Sequence, residues 1–237
     1  MDTIESLCLF GLTRQEAGLY LVLTAENELT GYEAARQAGI SRSNAYAALA
    51  SLVDKGAAFR IDSLTPRYTA VAISEFCANR LRLMREAAEH LATSLPARMD
   101  PLQGYLTIEG RTNILNRLHT MVEQARERIY LALPADTLEL IGEGLRAAVA
   151  RGIKVVVISD RAVQLAGANS HCHPLPPEQV RLIADSSEVI TGELGIGPQA
   201  SCLYSRRKQL VDLFKDALRN EITLIEMTKA APAKESE

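Results

Sequence analysis

No run of about 18 apolar residues occurs in the sequence, so a membrane-spanning helix is not expected. The opening "MDTIESLCLFG" is acidic and lacks a basic region followed by an apolar one, so secretion is not expected either. Cysteine is sparse. Cys8, Cys77, Cys172 and Cys202 lie far apart and form no Cys-x-x-Cys pair. That spacing predicts reduced, mostly buried thiols in a cytoplasmic protein rather than a disulfide framework. An excess of positive charge is also missing, the formal net charge being −3. The molecule is no polycation, so any contact with nucleic acid must come from a local basic patch. Tryptophan is absent, and aromatic residues reach only 5%.

What is present is an ordinary globular composition, 47% hydrophobic and 23% charged over 237 residues. That length predicts two domains. "LTRQEAGLYLVLTAEN" reads as a helix capped by Thr13, with Ala17, Tyr20, Leu21 and Leu23 at helical spacing. A second helix runs from near Thr30 to Gly39, a natural left-handed cap. In a third, capped by Ser41 or Ser43, Ala45, Leu49, Leu52 and Val53 form one apolar stripe. "AAFRIDSLTPRYTAV" then carries two short β-leaning runs around Ser63–Pro66, a hairpin signal. Three helices followed by a hairpin is the order of a winged helix-turn-helix, expected over residues 1–73.

Residues 74–100 predict one long helix, which reaches roughly 30 Å over the stretch before Pro96. Phe76, Leu81, Met84, Ala88, Leu91 and Leu95 lie near a heptad-like seam, as a linker or homodimer helix over 74–99 requires. The helix ends at Pro96–Pro101, a domain boundary signal. Beyond it, strands and helices alternate, which predicts an α/β domain over 101–230 with a mixed, mainly parallel sheet. A loop is expected at Arg161–Pro177, and a disordered tail over 231–237. Overall the fold class is α/β, or α+β when both domains are counted.

The third helix raises the functional question. Opposite its apolar stripe stand Arg42, Ser43, Tyr46, Ala47 and Ala50. A recognition helix docks in the major groove through its N-terminal residues. Arginine pairs bidentately with guanine, and Asn44 offers the corresponding geometry to adenine. Ser41, Tyr32, Lys55, Arg60 and Arg67 flank that face as expected DNA or phosphate contacts. From Arg36 to Arg67 five basic residues stand against two acidic ones, Asp54 and Asp62. This local reversal in an acidic chain favours double-stranded DNA as partner over a protein-binding winged helix, which stays open as an adaptor alternative.

"LFGLTRQEAGLYLVL", "AARQAGISRSNAYAALASLVDKG" and "PRYTAV" resemble, in order and spacing, the N-terminal domain of TrmB-like transcriptional regulators. "ARERIYLAL", "ARGIKVVVISD" and "VRLIADSSEVITG" resemble that family's effector domain, which is similar in fold to phospholipase D. The resemblance implies a DNA-binding regulator, repressor or activator, that senses a small effector, often a sugar. Gly31, Tyr32, Asn44 and Phe59 depart from the usual pattern and bear on operator sequence.

A phospholipase-like hydrolase with a DNA-targeting module is the enzymatic alternative. It requires His-x-Lys-x-x-x-x-Asp, and none of His90, His119, His171 and His173 stands in such a context. "CLYSRRKQLVD" holds Tyr204 and Ser205 but no histidine. Without a nucleophile and base, covalent phosphoryl transfer has no route, so no catalytic residue and no cofactor is expected. His171, Cys172 and His173, with Cys202, lack the usual zinc spacing, so no metal is expected. Cys77 reads as a buried small hydrophobe or a thiol sensor. Asp185, Ser186, Tyr204 and Ser205 are the expected effector-lining set, at the ends of sheet strands where ligands of α/β folds bind. The other reading of Asp185 is a plain turn residue satisfying backbone amides.

Overall fold

The computed structural model describes residues 2–96, 104–195 and 199–230, and the chain divides into two compact units, 1–97 and 98–237. The expected tail and the last residues of the long helix, 97–100, lie outside the described residues.

In the first unit α1 (Thr3–Leu9) and α2 (Arg14–Glu26) are followed by β1 (Leu29–Thr30), α3 (Gly31–Ala38) and α4 (Arg42–Asp54). β2 (Ala58–Ile61), β3 (Arg67–Ala70) and α5 (Ile73–Ser94) complete it. Polar caps set the helix starts. Thr13 and Thr30 each exchange hydrogen bonds with a glutamate three residues on, and Ser41 accepts the Asn44 amide. Gly39 ends α3 at φ 66°, a conformation that favours glycine. Sequence reasoning missed α1, a seven-residue helix, and β1, two residues that pair antiparallel with β3. The strands run in the order β1-β3-β2, the last pair forming the expected wing.

Leu19, Leu23, Leu49 and Leu52 fill the core between α2 and α4, while Val53 stays half-buried. The Tyr20 hydroxyl donates to the Val71 carbonyl at 2.7 Å, and Phe76 packs its ring 6.0 Å from Tyr20. These contacts anchor the start of α5. From Leu81 to Pro96 every residue is exposed, so the apolar seam continues past the domain with nothing from its own unit covering it.

The second unit contains β4 (Tyr105–Glu109), α6 (Arg111–Gln124), β5 (Arg128–Ala132), α7 (Ala135–Ala150) and β6 (Lys154–Ser159). β7 (Asn169–Cys172), β8 (Gln179–Ala184), β9 (Glu188–Glu193), β10 (Ser201–Ser205) and α8 (Lys208–Ala230) follow. The seven strands are ordered β4-β10-β9-β8-β5-β6-β7. The sheet is mixed, but the expected mainly parallel pairing is corrected. Only β5–β6 and β6–β7 pair parallel, while the other four pairings are antiparallel. The hairpin at Asp185–Ser186 inserts β8 and β9 as antiparallel neighbours. α6 and α7 cover one face through residues such as Ile114, Leu118, Leu138 and Ile141. α8 alone packs on the other, through Val211, Leu218 and Ile225.

Candidate nucleic-acid interface and effector cavities

The N-terminal half of α4 presents Arg42, Ser43, Asn44, Tyr46 and Ala47 to solvent, while Ala45, Ala48 and Leu49 face the core. Helical periodicity alone produces that division. The exposed side chains are nevertheless held. The Arg42 guanidinium lies 4.4 Å from the centroid of the Tyr32 ring, and the Ser43 hydroxyl is 3.2 Å from that of Ser41. The Tyr46 ring rests on the backbone of Gly31, where an added Cβ would come 2.3 Å from its Cε1. Gly31 therefore supplies space rather than flexibility. Two tyrosines and an arginine form a small supported surface at the front of the helix.

The positive island is smaller than the sequence count suggests. Lys55, expected on phosphate, donates instead to the Glu16 carboxylate at 2.6 Å and to the Gly11 carbonyl at 2.9 Å. This is a correction: its ammonium is occupied inside the domain. Burial alone would raise the Glu16 carboxyl, but hydrogen bonds from Lys55, Ser51 and the Thr13 amide, with the Lys55 charge, bring it down to about 2. Arg67 faces Glu28 at 3.6 Å and Glu33 at 3.9 Å, and Arg60 pairs with Asp62 at 3.2 Å on the wing. Exposed pairs such as Arg60–Asp62 are weak and exchangeable. Arg36 and Arg42 form no ion pair among the described residues; the Arg36 charge still acts on the Glu33 carboxylate, which leaves Arg42 as the uncompensated charge of this face.

The four residues expected to line an effector site are structural in this geometry. The Asp185 carboxylate accepts from the backbone amides of Arg126, Glu127 and Arg128 at 2.8–3.0 Å. Partial burial would raise its carboxyl, but those three amides hold it below the ordinary value. Asp185 and Ser186 have φ of 50° and 54°, the two central positions of a hairpin turn closed by the Ser187 amide on the Ala184 carbonyl. The Ser186 hydroxyl is buried and unpaired. Tyr204 is fully buried, donates to Glu188 at 2.5 Å, and accepts from Arg206 at 2.8 Å. Burial, reinforced by the neighbouring Glu188 carboxylate, pushes its phenol up to about 12. Ser205 donates to the Gly104 carbonyl and accepts the Arg207 amide. None of the four lines any of the three cavities described below.

Those cavities lie elsewhere in the α/β unit. One of about 680 Å³ sits against β8 and β9, between Pro176, Glu178, Arg181 and Thr191. A second, of about 360 Å³, opens beside α7 at the carboxyl end of β6, with Leu138, Leu145 and Val157 below Arg146 and Arg161. The third, about 290 Å³, lies between α8 and the β5–β6–β7 edge, where Lys154, His171, Lys215 and Arg219 converge.

β7 explains the histidine cluster. It lies inside the expected loop, pairing parallel with β6, so that His171 registers with Ile158 and Cys172 with Ser159. Neighbouring strand residues face opposite sides. Among the described residues, no group of three His, Cys, Asp or Glu side chains is gathered for a metal ion. Cys77 is half-buried against the first core. Cys202 is buried, and burial pushes its thiol up to about 11. No helix of the described residues is long and apolar enough to cross a membrane.

A winged helix with an exposed, supported α4, followed by a cavity-bearing α/β unit, has the architecture of two-domain DNA-binding regulators. Residues 7–74 match the family described as "Sugar-specific transcriptional regulator TrmB", and residues 105–207 match the N-terminal subdomain of the TrmB effector-binding domain. The chain belongs to the TrmB-like family of transcriptional regulators. It is 27% identical over 241 residues to the uncharacterized protein YrhO of Bacillus subtilis (strain 168), covering 97% of this chain and 86% of that protein. It is similar to the archaeal chromatin protein TrmBL2, with a TM-score of 0.46, 19% identity and coverage of 93% and 97% of the two chains. It is also similar to Nuc from Salmonella typhimurium, a phospholipase D family member, with a TM-score of 0.40, 15% identity and coverage of 49% and 93%.

Proposed function

We propose that this regulator reads a double-stranded operator through the front of α4, as a homodimer joined along α5, under control of a small effector bound in the α/β unit. The observation that carries the reading is the exposed Arg42, stacked on Tyr32 and with no carboxylate partner among the described residues, at the N-terminal end of α4. Arg42 and Asn44 supply base-edge readout, Tyr32, Tyr46, Ser41 and Ser43 position the helix, and Arg60 and Arg67 serve phosphates at the wing. Lys55 drops out of the contact set for the reason given above.

The exposed seam of Leu81, Met84, Ala88, Leu91 and Leu95 supports the dimer, since its 3-4 spacing repeats a heptad and nothing in its own unit covers it. Two recognition helices related by a two-fold axis would then read a pseudo-palindrome. The family's description favours a sugar or related metabolite as effector. Such a ligand acts only if its affinity differs between DNA-bound and free states. The absence of His-x-Lys from the sequence supports a non-enzymatic role for the second unit, and the protein is proposed to work in the cytoplasm. In vitro selection of bound duplexes tests the reading. Enrichment of an inverted repeat supports it, and recovery of unselected sequence contradicts it.

A further inference from the structure

The third cavity has a composition that the regulator's fold does not require. Strand parity puts Lys154 of β6 and His171 of β7 on the sheet face that packs against α8. Lys215 and Arg219, one turn apart on α8, lean over the same space. Three separate elements thus bring two ammonium groups, a guanidinium and an imidazole to a hollow of about 290 Å³, in which Glu226 is the one lining carboxylate. Neither Lys154 nor Lys215 has a hydrogen-bond or ion-pair partner for its ammonium among the described residues. Arg219 holds Asp216 at 3.2 Å, but both side chains are about two-thirds exposed and the pair is exchangeable. Gathering three cations against one lining carboxylate costs free energy, and in a chain of net charge −3 nothing global explains it.

We propose that this cavity binds the phosphoryl group of a small phosphorylated metabolite, about the size of a sugar phosphate. Lys154, Lys215 and Arg219 would take the phosphate oxygens through charge-assisted hydrogen bonds. Asn169 stands beside them to take polar groups of the remainder, with the Thr223 hydroxyl, which donates to the Arg219 carbonyl, left as an acceptor, over a floor made by Tyr130 and Ile222. The hollow lies at the lower end of ordinary ligand-site volumes, which suits such a ligand and not a nucleic-acid strand. The inference rests on the effector reading above and names the chemistry of one effector-unit site.

The test is isothermal titration of the full chain at fixed ionic strength with glucose 6-phosphate, inorganic phosphate and glucose. Lys154→Ala, Lys215→Ala and Lys215→Arg are compared with the parent, and thermal melts confirm that the variants fold. Both phosphates should bind, glucose should not, and each alanine variant should lose about ten- to a hundredfold while Lys215→Arg retains most affinity. If neither phosphate binds, or if the alanine variants bind like the parent, the site is overturned. Operator affinity, read in parallel, separates the two readings. Phosphate binding that requires Lys215 but leaves DNA affinity unchanged upholds the site and counts against effector control through it. DNA release by glucose 6-phosphate from the Lys215→Ala variant as from the parent upholds effector control and counts against this site.

Discussion

The guanidinium of Arg42 lies 4.4 Å above the ring of Tyr32, joining the first residue of α4 to the second residue of α3. Such stacking at an exposed site is worth about 0.5–1 kcal/mol, enough to bias the guanidinium toward one orientation before DNA arrives. Tyr32→Phe should therefore bind operator nearly as the parent does, and Tyr32→Leu should weaken it by about 0.5–1 kcal/mol. Fluorescence anisotropy on a selected operator measures the difference. Equal losses in both variants would assign the effect to the hydroxyl instead.

Gly31→Ala should move the Tyr46 ring, because the new Cβ would stand 2.3 Å from it. Operator binding is expected to fall about tenfold, roughly 1.4 kcal/mol, with little change in melting temperature since the ring is half-exposed and can swing out. The double variant Gly31→Ala, Tyr46→Ala should be no weaker than Tyr46→Ala alone, as coupled neighbours are not additive. Additive losses would show that Gly31 acts independently of the ring.

Lys55→Ala should destabilise the first unit by about 1–3 kcal/mol, because it strands the nearly buried Glu16 carboxylate. Its salt dependence of DNA binding should match the parent. The pH dependence follows from Glu16, whose carboxyl falls from 4.5 to about 2 on folding. That stabilisation is complete above about pH 4.5 and is lost as the pH drops toward 2. Urea titrations at neutral and acid pH should show the parent losing stability across that window and Glu16→Gln losing less. A flatter salt slope in Lys55→Ala would return Lys55 to the phosphate contacts.

Ser186→Gly should stabilise the second unit by about 0.5–1 kcal/mol, by relieving a positive φ and removing a buried, unpaired hydroxyl. Its response to effector should be unaltered. If denaturation shows no gain and effector response is lost, the turn belongs to the ligand site after all.

Leu91→Glu should dissociate the dimer at micromolar concentration while leaving the winged helix folded, since Leu91 is about half exposed and remote from the Phe76 anchor. Light scattering after gel filtration reads the mass directly. A parent that is already monomeric would remove α5 from the assembly.

Much of the first unit was legible because its signals are local. Thr13, Thr30 and Ser41 cap helices within three residues of themselves, and the Leu49–Leu52 stripe needs only helical periodicity. Asp2 and Glu5 carry the same capping pattern before α1, a signal present and overlooked. Charge partners were not legible. Lys55 and Glu16 are 39 residues apart, and only the packing of α4 on α2 brings them together. In the second unit the strands were readable and their pairing was not, since alternation of strand and helix does not say where a hairpin inserts. "NSHC" becomes β7 only because it lies against β6. Asp185 and Ser186 show why a site drawn from residue type fails: a carboxylate and a hydroxyl serve a turn as well as a ligand, and three backbone amides decide between them.

The central claim is that Arg42 distinguishes one base sequence from another. Parent and Arg42→Ala proteins are titrated, at one salt concentration, against a selected operator and a scrambled duplex of equal length. The account predicts a loss of about 1–3 kcal/mol on the operator and almost none on the scrambled duplex, so that discrimination collapses. An equal loss on both duplexes, or none on either, would contradict it.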